Sequence, residues 1–135
     1  MWEHFHHQAD IGVRGIGDTL DEAFAEAAYA LMAVIGSPDK VKPSEAVEVR
    51  RECEDRELLF VDWLNALIYE MAVKGMIFSR FEVHLEGDVL AATAWGEKAD
   101  PERHETAVEV KGATYTQLKV AHENKKWIAQ CVVDV

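Results

Sequence analysis

Cations, cysteine and proline are all scarce in this sequence, and each scarcity removes a class of function. Lys and Arg total 14 against 25 Asp and Glu, a formal net charge of −11 over 135 residues. A surface so acidic repels phosphate backbones, because nucleic-acid affinity comes largely from basic side chains displacing counterions. Tight direct binding to RNA or DNA is therefore not expected. Acidity serves solubility, and it also suits encounter with a basic partner.

The two cysteines, Cys53 and Cys131, form no CxxC spacing, so neither a zinc ribbon nor a redox pair is indicated. They read as small core residues of a protein in a reducing cytoplasm, with a structural disulfide left open. With three prolines and no low-complexity tract, the chain offers no long linker. No apolar run approaches the roughly 18–20 residues that span a bilayer. The first seven residues lack the basic-then-apolar order of a signal peptide. No membrane partner is expected.

What is present is the composition of one globular domain, residues 1–135, with 49% hydrophobic residues. Residues 4–17 alternate in places and are punctuated by Gly12, Gly15 and Gly17, which predicts a strand or two with a bend near Ala9-Asp10. Thr19-Leu20-Asp21-Glu22 has the form of a capping box. Leu20, Ala23, Phe24, Ala27, Leu31 and Ile35 then recur at helical spacing until Gly36-Ser37-Pro38 stops the run. Residues 46–53 alternate as a strand. Asp55 opens a second helix whose stripe is Leu59, Trp63, Leu64, Leu67, Ile68 and Met71, closed by Lys74-Gly75.

Residues 77–85 and 89–95 alternate around Glu86-Gly87-Asp88, a hairpin signal. After a polar loop, residues 106–121 read as a strand with an irregularity near Gly112, and 127–135 as a final strand. The sum is an α+β fold: two amphipathic helices packed on one face of an antiparallel or mixed sheet of about six strands.

Three constellations could carry chemistry. Asp10 lies among Ala9, Ile11 and Gly12, where glycine admits a ligand close to the backbone; a turn-capping Asp is the plainer reading. Asp134 is penultimate, so its carboxylate neighbours the carboxylate of Val135. Two anions about 4 Å apart repel by roughly 4 kcal/mol at an effective dielectric near 20, so either solvent or a cation must offset them. Lys111, in Val108-Glu109-Val110-Lys111-Gly112-Ala113-Thr114-Tyr115, is a solvated sheet lysine unless it faces those acids. His4 and His6 share a strand face, but without Cys or carboxylate partners at diagnostic spacing they read as ordinary strand histidines rather than zinc ligands. No P-loop, GxSxG, HExxH or GxGxxG occurs, and no residue is singled out as catalytic.

In order along the chain, these motifs resemble the archease family. His7-Gln8-Ala9-Asp10 is similar to its opening His-Thr-Ala-Asp, with Gln8 for the usual Thr. Gly17-Asp18-Thr19-Leu20-Asp21-Glu22-Ala23-Phe24 is similar to its first helix start, and Leu58 through Asn65 to its second helix. Trp95-Gly96-Glu97 and His104 sit where the family has a Gly-Glu turn and a loop histidine. Residues 109–115 resemble its Glu-Val-Lys-Ala-x-Thr-Tyr signature, with Gly112 for the usual Ala, and Val132-Val133-Asp134-Val135 its terminus.

The resemblance implies a cytoplasmic, non-catalytic partner of the tRNA-splicing RNA ligase. That ligase joins 2′,3′-cyclic-phosphate or 3′-phosphate ends to 5′-hydroxyls, and the family promotes its guanylylation and multiple turnover. It further implies that Asp10, Lys111 and Asp134 are the essential residues, and that Asp10, Asp134 and Val135 hold a divalent cation. Ca²⁺ is the first expectation, with Mg²⁺ or Mn²⁺ as the other oxygen-seeking ions. The rival reading is a small metal-dependent phosphohydrolase, which carboxylate-held metal could support.

Overall fold

The computed structural model describes residues 1–135. Strands β1 (Trp2–His7) and β2 (Asp10–Gly17) form a hairpin, followed by helix α1 (Leu20–Ile35) and a 3₁₀ turn (Pro38–Lys40). Strand β3 (Glu45–Glu52), helix α2 (Arg56–Lys74) and the hairpin of β4 (Met76–Glu86) and β5 (Val89–Lys98) come next. The chain ends with β6 (Gly112–Ala113), β7 (Lys119–Glu123) and β8 (Lys126–Asp134).

Local chemistry sets the element ends. Thr19 Oγ1 accepts from the Glu22 N–H at 3.1 Å, and Glu22 Oε2 accepts from the Asp18 N–H at 2.9 Å, a reciprocal cap on α1. Asp55 Oδ1 accepts the Glu57 and Leu58 N–H groups at the start of α2. Gly75, at φ 64°, ends α2 in the left-handed conformation that glycine adopts without a Cβ penalty.

Every strand pairing is antiparallel. The α+β class and the two helices are as the sequence implies; the strands, eight in all, divide into two sheets. One has the order β1-β2-β8-β6, with β7 also on β8; the other is β3-β5-β4. The helices lie between them, α1 against β2 and β4, and α2 against β6, β7, β3 and β4.

A helix enclosed on two sides must be narrow, which explains the alanines of α1. Ala23, Ala27, Ala28 and Ala30 are all fully buried, as are Phe24 and Leu31. The aromatic centre joins Phe24 to Phe60 (ring centroids 5.1 Å) and Trp63 to Phe81 (6.2 Å). The Trp63 indole N–H donates to the Phe24 carbonyl at 3.0 Å, so the largest buried ring keeps its one donor satisfied. Both cysteines are free; Cys131 is buried, and burial pushes its thiol up to about 12.

One expectation fails. Residues 106–121 are not a strand interrupted at Gly112; only 112–113 and 119–123 pair in the sheet. The alternation of Val108 and Val110 has another cause. This segment crosses the open end of the helix layer, where Val108 and Val110 line an apolar groove with Ile35, Ile68 and Met71. Its backbone is held by the Ala107 N–H on the Ile35 carbonyl (3.0 Å) rather than by a ladder. A one-sided apolar surface imposes the same period on an extended segment whether or not a strand runs beside it.

Candidate carboxylate site at the joined chain ends

The site begins with register. β1 and β2 turn through Gln8 and Ala9, with Gln8 in the left-handed region at φ 53°. β2 runs antiparallel to β8 with Ile11 opposite Val133, which places Asp10 and Asp134 side by side at the same end of the sheet. Val13, Cys131 and Val133 point into the core. Because side chains alternate, Asp10 and Asp134 share the opposite, outer face with Gly12 and Val132. Residues 124 positions apart in the chain thus become cross-strand neighbours.

The backbone ties this corner together. Asp10 Oδ1 accepts from the Val135 N–H at 3.4 Å, a long bond. The Lys111 N–H donates to the Asp134 carbonyl at 2.7 Å, and Gly112 pairs with Asp134 in the sheet. The short β6 has little ladder of its own. Instead Asn65, projecting from α2, accepts the Ala113 N–H at 2.8 Å and donates toward the Ala113 carbonyl at 3.4 Å. Thr114 adds two bonds to the Val132 carbonyl, from its N–H at 3.0 Å and its hydroxyl at 2.8 Å.

The charge arrangement is unbalanced. None of the protein's ion pairs includes Asp10, Asp134 or Lys111. Lys111 is exposed and joins the corner through its main chain, so it does not neutralise the acids by contact. The arginine of the same sheet face is committed elsewhere: Arg14 reaches Glu3 at 2.9 Å and Gln130 at 2.8 Å, and its guanidinium lies 4.7 Å from the centroid of the Phe5 ring. Phe5 in turn covers Gly12, where a Cβ would come 2.2 Å from the ring. Phe5 thus packs on the outer face next to Asp10, which is half-buried, while Asp134 is exposed.

His7 is the cross-strand partner of Asp10, but no three His, Cys, Asp or Glu side chains converge into one cluster. That donor set excludes a four-ligand zinc site built from side chains alone. It fits a hard cation, which accepts carboxylate, backbone-carbonyl and solvent oxygens together. His4 is accounted for separately: its Nε2 meets the Ala30 carbonyl at 2.8 Å and pins β1 to α1.

Away from this corner, Glu97 and His104 form a structural clamp. His104 is fully buried. Its Nδ1 accepts the Asp100 N–H at 2.9 Å, so the ring proton is on Nε2 and is donated to Glu97 at 3.0 Å. Glu97 also takes the Lys42 N–H at 2.7 Å and a two-pronged contact from Arg103, both at 2.9 Å. The Arg103 bond, and after it the Lys42 N–H, hold the Glu97 carboxyl well below the usual carboxylate range.

Of the residues that matter to the corner, sequence reading names Asn65 only as part of a helix motif. The available signal was an amide set beside Trp63, Leu64 and Leu67 on a buried stripe, where an unsatisfied amide would be costly.

Comparison with known proteins agrees along the whole chain. The family model described as the Archease protein family matches residues 2–135. Protein archease of Pyrococcus abyssi is 45% identical over 139 residues, covering 99% of this chain and 98% of that protein. The corresponding protein of Methanopyrus kandleri is 40% identical over 138 residues, covering 99% of each. Among solved structures, a Methanobacterium thermoautotrophicum protein in solution superposes with a TM-score of 0.87 at 32% identity, over 99% of this chain and 98% of that one. A Thermotoga maritima crystal structure, described as an archease and possible chaperone, gives 0.64 at 24% identity over 100% and 98%, a likeness of fold.

Proposed function

Because the chain belongs to the archease family, we propose that it is a non-catalytic activator of the tRNA-splicing RNA ligase that joins 2′,3′-cyclic or 3′-phosphate ends to 5′-hydroxyls. In this reading it promotes guanylylation of the ligase and so sustains multiple turnover. The observation that carries the proposal is the pair of carboxylates, Asp10 and Asp134, brought together from opposite ends of the chain with no cation paired to them. Two carboxylates held as cross-strand neighbours without a counter-charge repel, and a divalent cation relieves that repulsion.

Asp10 and Asp134 would hold that cation. Where Val135 ends the chain, its carboxylate adds a further oxygen, and Ca²⁺, Mg²⁺ or Mn²⁺ suits such donors. The bound ion supplies positive charge and open coordination positions for oxygens of the partner. Lys111, exposed beside it, offers an ammonium to phosphate. Activation then follows if the acidic corner binds one state of the ligase more tightly than the others, since a partner shifts an equilibrium only by its differential affinity. The fold has no helix long and apolar enough to cross a membrane.

The test is multiple-turnover ligation with the partner ligase and the variants Asp10→Ala, Lys111→Ala and Asp134→Ala. Each is expected to lose at least tenfold in stimulated turnover while leaving the ligase's first turnover intact. Full stimulation by all three overturns the site. A phosphatase and phosphodiesterase assay of the isolated protein with added Mn²⁺ separates the rival hydrolase: metal-dependent turnover abolished by Asp134→Ala would replace the activator reading.

A further inference from the structure

The outer face of the β3-β5-β4 sheet carries no covering element, and its side chains follow a pattern with a consequence for self-association. Register sorts that face into four rows across the three strands. They are Ala46–Trp95–Arg80, Glu48–Thr93–Glu82, Arg50–Ala91–His84 and Glu52–Val89–Glu86. All eight flanking residues are exposed. The middle strand contributes only Trp95, Thr93, Ala91 and Val89, and the small central pair leaves a trough of about 410 Å³ between charged walls.

Two symmetric face-to-face arrangements keep the strands of the two copies aligned. In one, the two-fold axis runs along the strands, row meets the same row, and Glu48 falls on Glu82 while Arg50 falls on His84. That arrangement sets like on like. In the other, the axis runs across the strands between the Thr93 and Ala91 rows. Glu48 then meets Arg50 of the second copy, Glu82 meets His84, Arg80 meets Glu86, and the small residues Thr93 and Ala91 oppose each other. Every charged contact is now between unlike partners or against an uncharged residue.

We propose that this face is a homodimer interface, with a second copy of the chain docked across the strands in that second arrangement. The central strip is short, with Trp95 under the Arg80 guanidinium at 4.6 Å and Thr93 beside Ala91, so the charged rim carries the recognition, and oppositely charged rims fix orientation more than they add affinity. The size sets the strength. Four rows spaced by two residues and three strands about 4.8 Å apart cover roughly 400 Å² per copy, half of the roughly 800 Å² of a standard stable interface. Two chains of charge −11 also repel. The dimer is therefore weak and populated at high concentration.

Sedimentation equilibrium at 0.15 M salt, up to about 1 mM protein, tests this independently of any ligase. Glu48→Arg alone sets Arg on Arg at two symmetric contacts, and Arg50→Glu alone sets Glu on Glu; each is expected to weaken self-association at least tenfold. Mixing the two single variants restores both contacts, so a heterodimer forms to within about threefold of the wild-type constant. Circular dichroism shows that each variant is folded. A wild-type chain that stays monomeric at 1 mM, single variants that associate normally, or a mixture that gains nothing each overturns the proposal.

Discussion

Replacing Gly15 with alanine adds one methyl group at the point where the two layers touch most closely. A Cβ there would come 2.0 Å from the Ala23 carbonyl oxygen and 2.4 Å from the Ala27 nitrogen. Both atoms are helix backbone, so no side-chain rotation relieves the contact. To reach an ordinary 3.4 Å, α1 must move off β2 by about 1.4 Å. A gap of 0.5–1 Å already forfeits a quarter to a half of each dispersion contact, and overpacking costs about 1–3 kcal/mol or more where the backbone must shift. We expect Gly15→Ala to lose about 3 kcal/mol, read as a lower urea midpoint. With about 2.1 cal/mol/K of unfolding entropy per residue, the melting temperature falls by roughly 10 °C. Gly87→Ala is the control: φ is +59° and nothing lies within 4 Å, so only the left-handed backbone penalty of about 1 kcal/mol applies. If Gly15→Ala is no more destabilising than Gly87→Ala, α1 does not seat on β2 as described.

Three further outcomes follow from the corner and the clamp. Ca²⁺ at a hundred times its dissociation constant should raise the wild-type melting temperature by about 9 °C, from about 2.7 kcal/mol of linkage; Asp134→Asn should abolish most of that shift in thermal scans, and an equal shift in both proteins refutes the cation site. Asn65→Ala should speed amide hydrogen exchange at Gly112 and Ala113, while Asn65→Asp, which keeps the acceptor for the Ala113 N–H, should restore most protection; unchanged exchange in Asn65→Ala refutes the hold of Asn65 on β6. The Glu97 carboxyl is held below its ordinary 4.5 in the fold, so its stabilisation is present above pH 4.5 and declines progressively as pH falls below it. Glu97→Gln should flatten that acid limb in denaturation midpoints measured between pH 5 and 2, and parallel wild-type and variant curves refute it.

The sequence alone determined the local structure. Thr19 and Asp55 declare helix starts, and Gly75 a helix end, because a cap is decided by a few adjacent residues. The alternation of Ile77 through Trp95 declares its hairpin for the same reason. Motif order also pointed to the family and singled out Asp10, Lys111 and Asp134. Tertiary structure decided what depends on residues distant in the chain. The division into two sheets around α1 rests on contacts that no local period encodes. Residues 106–111 alternate like a strand yet cover the helix ends, since period two reports one apolar side and not what lies beyond it. The meeting of Asp10 with Asp134 depends on β2 pairing with β8 in one register, and a slip of one residue in either strand would turn its carboxylate to the core face and part the two. That Lys111 joins them through its backbone, under the hand of Asn65, is a matter of three-dimensional placement alone.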